Sequence, residues 1–219
     1  MTPEEHGKIR AGCITGTRIS TIVNGGYQAW NRLAANMREA KPVILGKVGP
    51  TTPAPLRHGI IFEKMAAAKF WETHPEFEMT DPKWLAWFDA GNEIYQKHCG
   101  VSVDRMLTKD GVTVPLEIKC PYDPDIHQSY RRAQSIPSGY RPQITWEMIV
   151  SDAPGAWFVS FDPREQSEEW GWFEMYIKRD YEYEAEMMEK VNRFLETFLM
   201  GELFTAPNKT EADIRRAFS

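Results

Sequence analysis

The chain has 219 residues, 42% hydrophobic and 26% charged, with a net charge of −5; that length buries a real core and reads as a single domain, residues 1–219. The acidic balance excludes a protein that coats nucleic acid over its whole surface, and leaves room only for a local basic channel. No apolar run approaches membrane length, Met1-Thr2-Pro3-Glu4-Glu5 lacks the order of a signal peptide, and three cysteines without zinc-ligand spacing (Cys13, Cys99, Cys120) point to a reducing cytosol.

Thr2-Pro3-Glu4-Glu5 reads as a helix start, with Thr as cap and Pro in the first turn, and the helix is expected to end near Arg10-Ala11-Gly12. A second short helix runs from Thr15 to Val23, with Thr15 or Gly16 at its N-terminus, and breaks at Asn24-Gly25-Gly26. That N-terminus, with Arg10 upstream and Thr17 and Arg18 in its first turns, suits an anion; an ordinary capped helix with surface arginines has the same pattern. Tyr27 to Lys41 is helical, and the Pro- and Gly-rich stretch Pro42 to Pro55 is a loop. His58 to Glu72 predicts a long helix with Ile61, Met65, Ala68 and Phe70 or Trp71 as its buried stripe and Glu63 in its first turns.

From Phe77 to Lys119 the pattern predicts an antiparallel meander. Its strands are Phe77–Thr80, Trp84–Phe88, Ile94–Cys99 and a closing hairpin, with a turn at Asp89-Ala90-Gly91-Asn92. Asp125 to Ser135 is helical and carries Arg131-Arg132. Ser138 caps a helix from Gly139 to Val150 that presents Arg141 and Gln143. Trp157–Phe161 and Trp172–Ile177 are strands, and Asp180 starts a long helix with a core stripe of Met187, Val191, Phe194, Leu195 and Phe198. The polar tail from Thr205 to Ser219 is expected to be partly disordered.

The hairpin carries the chemistry. Val101 to Leu107 and Val112 to Lys119 flank Asp110-Gly111, the dipeptide that a two-residue type I′ turn requires. With those two at the turn centre, Lys109 faces Val112, Asp104 faces Glu117 and Ser102 faces Lys119; a bulge at Pro115 would shift this by one. Val112, Val114, Leu116 and Ile118 share one face, Thr113, Glu117 and Lys119 the other. Opposed carboxylates, with Cβ atoms roughly 5 Å apart, repel unless a cation lies between them, and a hard cation such as Mg2+ takes such oxygens. Glu-x-Lys recurs at Glu39-Ala40-Lys41, and Asp81-Pro82-Lys83 fits a looser form. Only Glu117-Ile118-Lys119 has both an opposed aspartate and apolar alternation beneath it.

These residues fall into a pattern. Ile9-Arg10-Ala11-Gly12-Cys13-Ile14-Thr15-Gly16-Thr17, His58-Gly59-Ile60-Ile61-Phe62-Glu63, Ser102-Val103-Asp104, Leu116-Glu117-Ile118-Lys119-Cys120-Pro121, Tyr140-Arg141-Pro142-Gln143, Ala156-Trp157-Phe158 and Phe161-Asp162-Pro163-Arg164 stand in the order of one family. The chain resembles the lambda exonuclease-type phage recombination exonucleases of the restriction-endonuclease-like PD-(D/E)xK superfamily, from Lys8 to Ile177. The resemblance implies an α/β (α+β) fold: a central mixed β-sheet with an antiparallel hairpin, flanked by helices.

It further implies that Asp104, Glu117 and the Ile118 backbone carbonyl hold two Mg2+ ions, with Mn2+ as a substitute, and that Glu63 completes the carboxylate cluster. Lys119 positions and deprotonates the attacking water and Gln143 orients it. Arg10, Thr17 and Ser102 grip a terminal 5′-phosphate. The family's arginine shortly after K-C-P is absent here, where Asp123-Pro124-Asp125-Ile126-His127 stands; either His127 or Arg131 replaces it, or the pocket holds the phosphate less tightly. The implied activity is processive 5′→3′ digestion of one strand of linear double-stranded DNA. It leaves 3′ overhangs for homologous recombination, performed by a homotrimeric ring alongside a single-strand annealing recombinase in a bacterial host cytoplasm, with no membrane partner. The alternatives are a PD-(D/E)xK endonuclease of restriction or junction-resolving type, and an inactive nuclease-fold DNA-binding subunit.

Overall fold

The computed structural model describes residues 3–40, 49–81, 84–165, 167 and 169–205. Helices α1 (Pro3–Ala11), α2 (Gly16–Asn24), α3 (Tyr27–Glu39) and α4 (Ala54–Thr73) come first. Strands β1 (Glu78–Thr80) and β2 (Trp84–Ala86), helix α5 (Glu93–His98), and strands β3 (Gly100–Ser102), β4 (Arg105–Lys109) and β5 (Val112–Lys119) follow. Helices α6 (Pro124–Ala133) and α7 (Arg141–Ser151), strands β6 (Gly155–Phe161) and β7 (Trp172–Lys178), and helix α8 (Tyr181–Met200) complete the order. Thr2, Lys41 to Val48 in the expected loop, and the tail from residue 206 lie outside the described residues.

The hairpin sets the frame. Asp110 and Gly111 both have positive φ (52° and 80°), as a type I′ turn demands, and Gly111 takes that conformation without a Cβ penalty. Lys109 pairs with Val112 and Arg105 with Leu116, so the expected register holds without a bulge. Pro115 pairs with Met106 inside this ladder. Donors alternate sides along a strand, so the Pro115 nitrogen faces β6, where the parallel ladder starts only at Leu116.

The sheet order is β1-β4-β5-β6-β7, with β5 and β6 parallel and the other pairs antiparallel. This corrects the expected meander: β1 pairs with β4, and β2 and β3 form a separate two-stranded sheet. Val101 to Leu107 is not one strand. The chain bends at Val103-Asp104, and Ser102 pairs with Trp84 instead of facing Lys119. Ile94 to Cys99 is not a strand either. Asn92 accepts a hydrogen bond from the Tyr95 amide and caps α5, so a side-chain cap wins over the β-leaning composition.

Three apolar clusters cover the sheet and join it to the helical layer. Ala66, Ala67 and Phe70 of α4 pack on Leu107, Val114, Leu116, Ile118 and Val159. Ile144 and Met148 of α7 pack with Tyr130, Phe158 and Phe173 on the opposite face. Residues of α2, α3, α8 and α7, including Trp30, Trp146, Val191 and Phe194, form the third. Of the expected α4 stripe only Phe70 is buried; Ile61, Met65, Ala68 and Trp71 are exposed, and His58, Ala66 and Ala67 complete the buried face. Small alanines let the helix lie close on the sheet, with Phe70 as the one large side chain beneath it. α7 begins at Arg141 after an uncapped Tyr140, so Ser138 is not its cap. Asp180 caps α8 through the Tyr183 amide, and Met187, Val191, Phe194 and Leu195 are buried as expected.

Candidate active site

Glu117 is the centre of the site. It sits on β5 with its side chain toward α7 and is 2% exposed. Lys119, two residues on and therefore on the same face, donates to Glu117 Oε1. Gln143, in the first turn of α7, donates Nε2 to the same oxygen.

Asp104 stands in the bend between β3 and β4, just before β4 begins. Its Oδ2 accepts the Ile118 amide at 2.8 Å, taking the place that the next residue of a continuing strand would fill. Since N–H and C=O of one strand residue face the same way, the Ile118 carbonyl is on the Asp104 side too. Glu63 arrives from α4, on the other face of the sheet, and pairs with the buried Arg105 at 3.4 Å. That helix starts at Ala54, so Glu63 lies mid-helix and not in the first turns.

The electrostatics follow from crowding. Burial, then the Glu117 charge, holds the Asp104 carboxyl well above the usual carboxylate range. Burial also raises Glu63, against the pull of Arg105. For Lys119 burial works to lower the pKa, but Glu117 and Asp104 outweigh it and keep the ammonium charged. Lys119 also lies 5.2 Å from the Tyr140 ring centroid.

A second cluster lies where α1, α2 and β3 meet. Arg10 Nη1 donates to Ser102 Oγ at 3.0 Å. Arg18 caps the end of α1 through the carbonyls of Arg10, Ala11 and Cys13. The α2 N-terminus has no side-chain cap, and Thr15 and Thr17 share a 3.2 Å hydroxyl contact there. Burial, then the charge of Arg18, lowers the Arg10 pKa. Two cations, three hydroxyls and an open helix start make an anion-attracting corner. Gly16 joins it to Glu117: a Cβ there would sit 3.2 Å from Gln143 Cγ.

Residues 5–154 match the model of the YqaJ-like viral recombinase domain. The chain belongs to that family. Solved relatives of this YqaJ-like chain share its fold. An alkaline exonuclease, LHK-Exo, from Laribacter hongkongensis is 21% identical with a TM-score of 0.73, over 90% of this chain and 93% of that one. LHK-Exo in complex with dAMP gives 0.72 at the same identity and coverage. A phage-related exonuclease from Haemophilus somnus 129PT gives 0.60 at 12% identity, over 85% of this chain and 93% of the other. No curated protein matches the sequence significantly.

The YqaJ-like chain places the two expected substitutes for the missing arginine differently from the anion corner. His127 is fully buried, and its ring nitrogens contact Ser160 Oγ (2.8 Å) and the Trp170 carbonyl (2.9 Å), so it is a core residue of α6 and not a phosphate contact. Arg131 lies over the Trp170 ring at 4.4 Å and pairs with Glu169 at 3.8 Å. Arg164 reaches the segment after Cys120: it donates to the Pro121 and Tyr122 carbonyls and to both oxygens of buried Asp162. Cys120 is packed, and burial pushes its thiol up to about 12, which suits a packing residue and not a nucleophile.

Sequence reasoning missed Glu147. It is 0% exposed on α7, one turn after Gln143, and its Oε1 accepts Gln143 Nε2 at 3.0 Å. Burial, then Glu117 and Asp104, raises it well above the usual range. The i, i+4 spacing from Gln143 was the available signal.

The donor set fits a hard divalent cation. Asp104, Glu117 and Glu63 carry carboxylate oxygens, the donor type a hard cation takes, and a cation there would relieve their mutual repulsion. Among the described residues, no three His, Cys, Asp or Glu side chains are gathered tightly enough to hold an ion as they stand. Each carboxylate is engaged elsewhere: Glu117 by Lys119 and Gln143, Glu63 by Arg105, Asp104 by the Ile118 amide.

Proposed function

We propose that this protein is a Mg2+-dependent deoxyribonuclease that digests one strand of linear double-stranded DNA from its 5′ end. The observation that carries the reading is the buried Glu117 carboxylate, contacted by both Lys119 and Gln143, whose charge helps hold the Asp104 carboxyl above its usual range. Membership of a viral recombinase family and the fold shared with solved exonucleases support a nuclease role. The mononucleotide dAMP bound to LHK-Exo is the class of product that such digestion releases.

Asp104, Glu117 and the Ile118 carbonyl would hold the divalent ions, with Glu63 beside them. When bound, these ions supply charge stabilisation at the phosphorus oxygens and an acidified water. The side chains do the rest. Gln143 and Lys119 converge on one carboxylate oxygen and so define where a water lies against the scissile phosphate. Burial alone would pull the Lys119 pKa down; the two carboxylates hold it up. The more their charge is neutralised, the closer Lys119 comes to giving up its proton, which is what a base at neutral pH requires.

Arg10, Ser102 and Thr17 bind the terminal 5′-phosphate in this reading, and Gly16 sets the short step from that corner to Gln143. A phosphate held there measures one nucleotide into the cluster and gives 5′→3′ polarity. The same reading includes a homotrimeric ring with a basic inner face, which reconciles DNA tracking with a net charge of −5. It also includes a single-strand annealing recombinase that takes up the 3′ overhang in the host cytoplasm. Digestion of linear and circular forms of one plasmid tests end dependence: resistance of the circle supports attack from an end, and equal cutting indicates an endonuclease.

A further inference from the structure

Glu147 has no part in the reading above, yet it is a carboxylate with 0% exposure beside two others. Its Oε2 is buried without a hydrogen-bond partner among the described residues. A buried polar atom left in that state is costly and rare in a native fold. Its Oε1 accepts Gln143 Nε2 at 3.0 Å, and Gln143 Nε2 also donates to Glu117 Oε1.

We propose that Glu147 is a positioning residue that fixes the Gln143 amide by clamping its nitrogen between two carboxylates. A primary amide nitrogen has two hydrogens, and here each is spent on a carboxylate oxygen. Flipping the amide would set its own oxygen against the Glu117 oxygen that Lys119 also contacts, so that contact dictates the orientation and the Glu147 oxygen takes the second hydrogen. The Gln143 Oε1 is thereby turned away from Glu117 and Glu147, free to accept from a water at the cluster. Gly16 and Val101 close the remaining side: a Cβ on Gly16 would stand 3.2 Å from Gln143 Cγ, 3.3 Å from Val101 Cγ2 and 3.7 Å from Glu147 Oε1. The side chain of Gln143 is thus held by packing along its stem and by two acceptors at its head.

The inference rests on the hydrolase reading for its effect on rate, but the clamp itself does not. Nuclear magnetic resonance of the metal-free protein tests it first, with the Gln143 side-chain amide assigned by its loss in Q143A. Both protons should be shifted downfield and slow to exchange in the parent and in E147Q, whose amide oxygen can still accept. In E147L one of them should return to free-amide behaviour. Duplex digestion in Mg2+ is the second measurement. E147Q should stay within a few-fold of the parent, while E147L loses roughly 10–100-fold in kcat with KM little changed, the range seen when an outer partner of a site is removed. The double variant Q143A/E147L should be no slower than Q143A. Free-amide behaviour of Gln143 in the parent, or losses that multiply in the double variant, would overturn the proposal. So would an E147Q as impaired as E147L with a shifted Mg2+ requirement, which would make Glu147 an ion ligand. A parent that leaves duplex DNA intact would defeat the hydrolase reading, and the amide spectrum would still decide the clamp.

Discussion

The Asp104 carboxylate accepts the backbone amide of Ile118 at 2.8 Å. One hydrogen bond thus takes over where β4 stops pairing with β5, and it keeps an acidic side chain beside Glu117 and Lys119. It also explains why the bend at Val103-Asp104 leaves no orphaned strand amide at the site. β3 is free to leave and pair with β2, carrying Ser102 to Arg10.

Replacing Lys119 by alanine should remove the charge that stands against Glu117. In the proposed reaction turnover should fall by roughly 10²–10⁴-fold, the usual range for a lost acid–base group, with duplex affinity little changed. Single-turnover digestion and a binding titration separate the two effects.

Asp104 and Glu147 have folded-state pKa values above those of an unfolded carboxylate. Between the unfolded value, about 4, and the raised folded value, the folded chain holds more protons than the unfolded chain. Stability without metal therefore falls as pH rises through that window, and the penalty is complete above it. Asp104→Asn should raise the metal-free Tm at pH 8 by several degrees, on a scale of about 2–4 °C per kcal/mol for a chain of this size. The gain should shrink as the pH approaches 4. Mg2+ should raise the Tm of the parent and not that of the variant, as calorimetry at the two pH values would show.

Arg10→Ala should selectively slow the digestion of 5′-phosphorylated ends. Arg10 donates to Ser102 Oγ at 3.0 Å, which ties it to the corner where the phosphate is proposed to sit. Rates on phosphate and hydroxyl ends, compared in parent and variant, give the answer; an equal loss on both would remove Arg10 from any phosphate pocket.

Gly16→Ala tests the joint between the two clusters. The added methyl meets Gln143 Cγ at 3.2 Å and Val101 Cγ2 at 3.3 Å, tight enough to press on the Gln143 stem. Displacements of that kind cost up to about 10²-fold in rate, whereas helix stability should hardly suffer at a first-turn position. A normal Tm with a lowered kcat is the expected pair of results.

The hairpin was legible because turn chemistry and strand alternation agree on one register, and Asp110-Gly111 admits few others. The juxtaposition of Asp104 and Glu117 followed from counting along it. The same counting misplaced Ser102, since nothing in Val101-Ser102-Val103-Asp104 announces that the strand bends. Glu63 drew notice only through the resemblance, because a lone helical glutamate is ordinarily solvated. Of the α4 stripe only Phe70 is legible, because Ala66 and Ala67 lie against the sheet beside it while Ile61, Met65 and Trp71 face outward. Ile94 to Cys99 has strand-like composition, and the Asn92 cap decided it otherwise. Glu147 was hidden because burial of a glutamate depends on what packs around α7, which local pattern does not carry.

The central claim is that Glu117, Asp104 and Lys119 form a metal-dependent hydrolytic site that works from a phosphorylated 5′ end. Linear duplex labelled separately at each end, with and without Mg2+ and with and without a 5′-phosphate, tests it most directly. The account predicts mononucleotide release from the 5′ label only when Mg2+ is present, faster on phosphorylated ends and absent in E117Q. Release without divalent ions, first release from the 3′ label, or full activity in E117Q would contradict it.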